Sequence, residues 1–433
     1  MNILLIGSGA REHIIAETLK KNQNVRLFSY MKSNNPGIAS LSEKIHIGRY
    51  SDIAEITDFG QENKINFAFI GPEDPLNEGV VDALEQVGIE SVGPLKKLAR
   101  LETSKAFTRK LFQDYGIEGC PGFKIFTTEN EDEIPIFMDE YEQIVVKPDG
   151  LTAGKGVKVQ GDHFQTKNEA YEYCLEVLQT HPAVIVEEKL DGEEFSLMCF
   201  TDGKTVVPMP VVQDHKRAFD DDKGPNTGGM GSYSCENHLL PFLKKENIEA
   251  GIAITKKVAD ALKEETGSYY KGIMYGGFIL TKNGVKLIEY NARLGDPEAM
   301  NVLSILKTDL ASICYAIIAQ ELGRLKIEFE KKATVCKYAV PVGYPDNPLK
   351  NEKIEVPTTA DAKIYFASVD KKEDGLYMTG SRAIGVVGIG STLEEAEKKA
   401  EDAVSQIIGK VFHRKDIGTK ALIEKRVRHI AEL

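Results

Sequence analysis

The stretch KLIEYNARLGDPEAM, residues 286–300, places a carboxylate and an amide two positions apart on what reads as a strand. Alternate strand residues share a face, so Glu289 and Asn291 point together. A carboxylate and an amide oxygen in that relation suit a hard divalent ion that also touches phosphate oxygens, with magnesium expected. Arg293 follows with a guanidinium for an anion, and the Gly295-Asp296-Pro297-Glu298 turn concentrates more charge than a purely structural loop needs.

A second stretch, IVVKPDGLTAGKGVKV at 144–159, delivers Lys147 from a strand into a loop holding Gly150, Gly154, Lys155 and Gly156. It is not a Walker loop, because Gly-Lys-Gly-Val opens a strand where that motif opens a helix. The physics is related: small residues let backbone N–H groups fold over phosphates while Lys147 and Lys155 add point charges. The reading is a glycine-rich flap over a triphosphate, against a plain hairpin with incidental lysines. Next, VIVEEKLDGEEFS at 184–196 could offer backbone to an adenine edge and a carboxylate to ribose hydroxyls, although an acidic hairpin end on a surface reads the same way. Between these stretches and the metal strand lies QDHKRAFDDDKGPNTGGMGSYS, 213–234. It is long, irregular and poor in apolar residues, which marks an active-site loop with Asp214, His215, Lys216 and Arg217 available to charged substrate groups.

The chain opens with IGSGAREH, which raises the possibility of a nicotinamide dinucleotide site. Glu12 stands where the third glycine of that fingerprint belongs, and no Asp or Glu lies between Glu17 and Glu43 to hold ribose hydroxyls. What survives is a turn where glycines let backbone N–H groups approach an anion at a helix N-terminus, with Arg11 beside them. A tight structural turn is the other reading.

These groups need elements to carry them. Up to about residue 100, short apolar runs alternate with amphipathic stretches, the pattern of a doubly wound parallel sheet. Its ligand crevice lies outside the carboxyl ends of strands, where GSGAREH, MKSNNPGIAS and GPEDPLNEG fall and together can form one pocket. LARLETSKAFTRKLFQDYGIEG has helical spacing and spans the first boundary, placed at 102. A central unit follows at 103–330, with a small mobile lobe at about 122–190, then helices around 246–266 and 298–321. A third, mixed α/β unit occupies 331–433, with strands in TVCKYAVPVGYP, AKIYFASV and RAIGVVGIG and a charged helix in TLEEAEKKAEDAVSQII.

Bulk properties narrow the function. A net charge of −12 disfavours nucleic acid. No apolar run reaches membrane-span length, and no leader is evident. Six scattered cysteines without a C-x-x-C pair fit reduced thiols in a cytoplasmic protein.

With GSGAREH, KPDGLTAGKGV, GPNTGGMG and RLGDPE in that order, and RKDIG at 414–418, the sequence resembles the phosphoribosylamine–glycine ligases of the ATP-grasp superfamily. The resemblance implies an N-terminal α/β domain for phosphoribosylamine, a central ATP-grasp fold and a C-terminal mixed α/β domain. It implies ATP, glycine and 5-phosphoribosylamine as substrates, Mg2+ or Mn2+ as the metal, and a glycyl-phosphate intermediate. It assigns ATP to Lys105, Lys147, Gly154, Glu187, Leu190 and Glu194, and metal to Glu289 and Asn291. The phosphoribosyl part goes to Gly9, Arg11, Asn35, Gly37, Glu73 and Asp74. Asp214, Lys216, Arg217, Arg293 and Asp296 lie near the substrates, with Arg293, Lys155 and Asp214 acting on the reacting groups. Neither a nucleic acid nor a membrane is implied, and the expected state is a monomer, with a dimer as the alternative. Three features depart from the pattern: YGGFIL lacks a further carboxylate beside the metal strand, SNNPGIAS departs from the usual Pro-Gly-Asn order, and Pro148 and Thr152 stand where alanine is frequent. Rival readings are another carboxylate–amine ligase, a bicarbonate-activating carboxylase subunit, and a non-catalytic nucleotide-binding protein.

Overall fold

In a computed structural model of the chain, residues 1–151, 156–358 and 361–433 are described, so the expectations for Gly154 and Lys155 lie outside the described residues. The apolar runs of the first unit form five parallel strands in the order Lys44–Ile47, Arg26–Met31, Asn2–Ile6, Phe67–Ile70, Glu90–Val92. Ile3, Leu4, Leu5 and Ile6 are all buried, as expected of a strand covered by helices on both faces. The chain winds outward from Asn2–Ile6, then returns to its other side at Phe67–Ile70. The crevice beyond those two strand ends is therefore the topological switch point.

The helical spacing around residue 104 breaks into two helices, Lys96–Thr103 and Lys105–Asp114. Ser104 sits between them in extended conformation, and its hydroxyl accepts the Phe107 N–H, an N-cap that ends one helix by starting the next. Beyond this joint the small lobe forms a four-stranded sheet, in the order Phe123–Phe126, Val184–Glu188, Ile144–Pro148, Lys158–Val159. It has its own apolar core, including Phe126, Ile144, Val146 and Cys174. The larger lobe is antiparallel, in the order Val206–Pro208, Glu193–Thr201, Gly272–Thr281, Gly284–Asn291. Helix Lys245–Thr266 packs on it, whereas the helical run expected over 298–321 is two helices, Glu298–Ser304 and Leu310–Ile318, the second capped by Asp309 on the Ser312 N–H.

The third unit shares a sheet with the second. Gln213–Asp214 and Gly231–Ser234, both in the long loop region, continue into Ala333–Pro341, Ile384–Gly390 and Ala362–Phe366. Gly231 lies at φ +155° against the Cys336 carbonyl, an approach that a Cβ would block. A further helix, Lys420–Glu432, meets strand Glu193–Thr201.

Candidate active site

Strand Gly284–Asn291 carries both expected metal ligands, and its register pairs Gly277 with Glu289 and Tyr275 with Asn291. The neighbouring strand thus faces Glu289 with a glycine, so it adds no third carboxylate. Among the described residues no group of three His, Cys, Asp or Glu side chains is gathered for a metal. Glu289 and Asn291 fit a hard ion that completes its shell with water and phosphate oxygens. Burial would raise the Glu289 carboxyl, but Lys216, Lys147, Lys105 and Arg293 outweigh it and hold it below the usual range. Four cations around one carboxylate leave this spot with a surplus of positive charge.

Lys105 and Lys147 come to this spot from different elements. Lys105 opens helix Lys105–Asp114 and donates to the Gly150 carbonyl at 2.8 Å. Asp149, beside it, accepts from the Ala106 N–H at 3.0 Å and from Ser104, so the start of the flap is tied to the helix N-terminus. Lys147 donates to the Ile288 carbonyl at 3.2 Å and lies 2.7 Å from Glu187. Glu187 is buried and also takes a two-point contact from Arg109, at 2.6 and 3.1 Å. Burial alone would push this carboxyl up, yet Arg109 and then Lys147 prevail and hold it at about 2. Its side chain is therefore committed to Arg109 and Lys147, which fixes the position of the lysine. Sequence reasoning missed Arg109, whose one signal was its place a helical turn after Lys105. Leu190 is half-buried where the small lobe joins the large one, and exposed Glu194 stands 3.3 Å from Lys216, which is also 3.8 Å from Glu289.

Arg293 is the junction between units. It reaches Glu102 at 2.9 Å, Glu73 at 3.2 Å and the Asn291 amide oxygen at 3.2 Å. Burial raises Glu102 to about 7 despite Arg293, whereas Arg293 and Arg11 overcome burial at Glu73 and bring it to about 2. The end of strand Gly284–Asn291 and the first-unit crevice are thus joined through the Arg293 guanidinium.

The three first-unit loops do meet. Asn35 donates to the Ser8 carbonyl at 3.0 Å, and Lys32 pairs with Asp74 at 2.5 Å. Within the turn, Arg11 and the Gly9 N–H already have partners inside the protein. Glu12 accepts the Gly9 N–H at 2.6 Å and pairs with Arg11 at 2.6 Å, filling the space that Gly71 leaves open. Arg11 is buried and donates to the Leu294 carbonyl at 3.1 Å. Asn35 is fully buried, capping Gly37 and Ile38 and donating to the Phe366 carbonyl at 2.7 Å. Gly37 is also buried, so within this crevice Glu73 and Asp74 are the more accessible of the expected contacts.

In the long loop, Asp214 and Lys216 lie on the site side. Burial and neighbouring Glu298 raise the Asp214 carboxyl well above its usual value. Arg217 pairs with Asp162 of the small lobe and donates to the Gly224 carbonyl. Asp296 accepts from Tyr338 at 2.5 Å and Arg382 at 2.9 Å. Arg382 also donates to the carbonyls of Gly228 at 2.5 Å and Gly229 at 3.1 Å, which ties GPNTGGMG to the GDPE turn. Sequence reasoning missed this residue too, because it lies in the third unit without a motif around it.

Comparison with known proteins agrees along the whole chain. Residues 1–102, 103–299 and 334–420 match the N domain, the ATP-grasp (A) domain and the C domain of phosphoribosylglycinamide synthetase. The chain is 51% identical to the phosphoribosylamine–glycine ligase of Methanocaldococcus jannaschii and 49% identical to that of Methanosarcina barkeri, in each case over 100% of both chains. A crystal structure of phosphoribosylamine–glycine ligase from Thermotoga maritima aligns with a TM-score of 0.81 at 28% identity, covering 96% of this chain and 100% of that one. The biotin carboxylase domain of Hydrogenobacter thermophilus 2-oxoglutarate carboxylase aligns with a TM-score of 0.75 at 16% identity, which is a likeness of fold.

Proposed function

The chain belongs to the phosphoribosylamine–glycine ligase family, and we propose that its cleft carries out the family's reaction with the residue roles set out below. The activity is the ATP-dependent ligation of glycine to 5-phosphoribosylamine in purine biosynthesis, using a divalent metal. In the proposed sequence a glycine carboxylate oxygen attacks the γ-phosphorus and ADP leaves. The amine of phosphoribosylamine then attacks the glycyl-phosphate carbonyl, phosphate leaves, and the nitrogen loses a proton.

Such chemistry asks the protein mainly to position reactants and to balance charge. Lys105 and Lys147 would face the ATP phosphates, with Glu187 and Arg109 fixing Lys147. Glu289 and Asn291 would hold Mg2+ or Mn2+, and the ion would neutralise developing phosphate charge. Asp214, a carboxyl crowded by Glu298, gains most from a cationic ligand group, and glycine's ammonium supplies one. Arg293 would turn toward the reacting carboxylate, while Glu73 and Asp74 offer acceptors to ribose hydroxyls. The fixed internal pairing of Arg11 favours backbone N–H groups and Lys32 as phosphate contacts. A monomeric, cytoplasmic enzyme is the simplest form of this reading.

The observation that carries it is the convergence of Lys105, Lys147, Lys216 and Arg293 around Glu289, from a helix start, a strand, the long loop and the turn just past the Glu289 strand. The test is the nucleotide and glycine dependence of turnover in Glu289→Ala and Asp214→Asn. The reading requires the first to lose turnover at every magnesium concentration and the second to lose glycine affinity with ATP affinity kept.

A further inference from the structure

The RKDIG motif, Arg414 to Gly418, has no part in the roles above, yet Arg414 is among the largest fully buried side chains of the fold. Its guanidinium makes a two-point contact with Asp416, at 2.9 and 2.7 Å. The remaining nitrogen donates to the Arg217 carbonyl at 3.1 Å and to Asp222 at 3.2 Å, both in the long loop. Asp416 in turn accepts the Asp221 N–H at 2.9 Å, and Asp220 accepts the Lys415 N–H at 2.9 Å. Beneath the motif, Lys337 is fully buried and donates to the Lys415 carbonyl at 2.8 Å while pairing with Glu397 and Glu401 at 2.7 Å. The terminal helix adds Arg426, which pairs with Asp222 and lies 3.3 Å from Glu193, the residue before Glu194.

The loop therefore has two sides. Asp214 and Lys216 face the site, whereas His215, the Arg217 carbonyl, Asp220 and Asp222 face the end of the chain. Neither ring nitrogen of buried His215 has a hydrogen-bond partner among the described residues. Burial, with Arg414 and Arg426 near, depresses His215 to about 3, so it is neutral and adds no ion pair. The rear of the loop is thus held by charged contacts from the C-terminal segment. An arginine is required for the geometry, since only its planar fork bonds Asp416 at two points and still reaches the loop.

We propose that residues 414–429 form a clasp that sets the shape of the 213–234 loop, with Arg414 as its positioning residue. The clasp makes the end of the third unit part of the catalytic assembly of the second. This inference rests on the reading of 213–234 as the substrate loop.

Full-length Arg414→Lys and Asp416→Asn test it by hydrogen exchange and kinetics. The expected result in both is faster exchange confined to about 213–226, with kcat lowered about 10- to 100-fold, the scale of a small misplacement of reacting groups. ADP affinity should stay within about twofold of the parent, because Lys105 and Lys147 lie on elements outside both the clasp and the loop. Unchanged exchange in the loop would overturn the proposal. So would faster exchange throughout the chain with parallel loss of ADP binding, since that is general destabilisation. The exchange readout needs no turnover, so failure of the clasp is separable from failure of the functional reading, which the parent's glycine dependence decides.

Discussion

Replacing Glu187 with glutamine changes one oxygen for a nitrogen and leaves two cations in the interior without a counter-charge. Arg109 and Lys147 are 3% and 7% exposed, so water cannot take the place of the lost carboxylate. Breaking a buried pair in this way costs about 3–5 kcal/mol. The same pairing also depresses the pKa of Glu187. Its carboxyl is held at about 2 in the folded chain, against 4.5 ordinarily, which corresponds to about 3 kcal/mol. Because the folded value is the lower one, that stability is complete above the ordinary value and drains away as pH falls through 4.5 toward 2. For a cooperative unit of about 150–250 residues, about 3 kcal/mol lowers the melting temperature by roughly 6–12 °C. Scanning fluorimetry of the ligand-free Glu187→Gln protein at neutral pH reads this directly, and steady-state kinetics should show KM for ATP raised as Lys147 loses its anchor. A melting point within about 2 °C of the parent, with KM for ATP unchanged, would refute the argument that Glu187 works through its side-chain pairing.

Other consequences follow from the same geometry. Glu289→Ala should cut turnover by about 100-fold or more with the melting point nearly kept; near-normal turnover at saturating magnesium would remove its metal role. Asp214→Asn should raise KM for glycine by about tenfold or more and KM for ATP little, as measured by varying each substrate in turn. Arg11→Met should lower stability by about 3 kcal/mol, because it strands buried Glu12; a change confined to KM for phosphoribosylamine would mean that Arg11 leaves its internal partners to meet ligand. His13 is lowered by burial to about 4 where it accepts the Phe366 N–H, so unfolding takes up a proton below the ordinary histidine value. Stability should therefore fall as pH drops from 6.5 toward 4, by about 2 kcal/mol from this group at pH 5. His13→Gln, followed by melting against pH, should flatten that limb.

What the sequence conveyed was whatever local pattern encodes. Apolar runs with glycine-rich ends gave the parallel sheet, alternation placed Glu289 and Asn291 together, and the missing acid after Glu17 argued against a dinucleotide. Other features depend on distant partners. Glu12 reads as a failed fingerprint, and only the nearness of Gly71, just past another strand, explains it as the filler of the crevice. Ser104 looks like one polar residue in a helical run until Asp149 and the Phe107 N–H engage it. Arg109, Arg382 and Arg414 stand at no special spacing from the residues they hold, because they act across 78, 86 and 197 positions of chain. The sheet joining Gly231–Ser234 to Ala333–Pro341 is likewise a pairing between segments whose local patterns are complete on their own.

The central claim is that one cleft couples ATP cleavage to joining glycine with phosphoribosylamine. The direct measurement is ADP release by the purified protein with magnesium-ATP and freshly generated phosphoribosylamine, with and without glycine. ADP formation that depends on glycine and is matched mole for mole by glycinamide ribonucleotide is the predicted result. ADP release indifferent to glycine, or ATP bound without any glycine-dependent turnover, would contradict it.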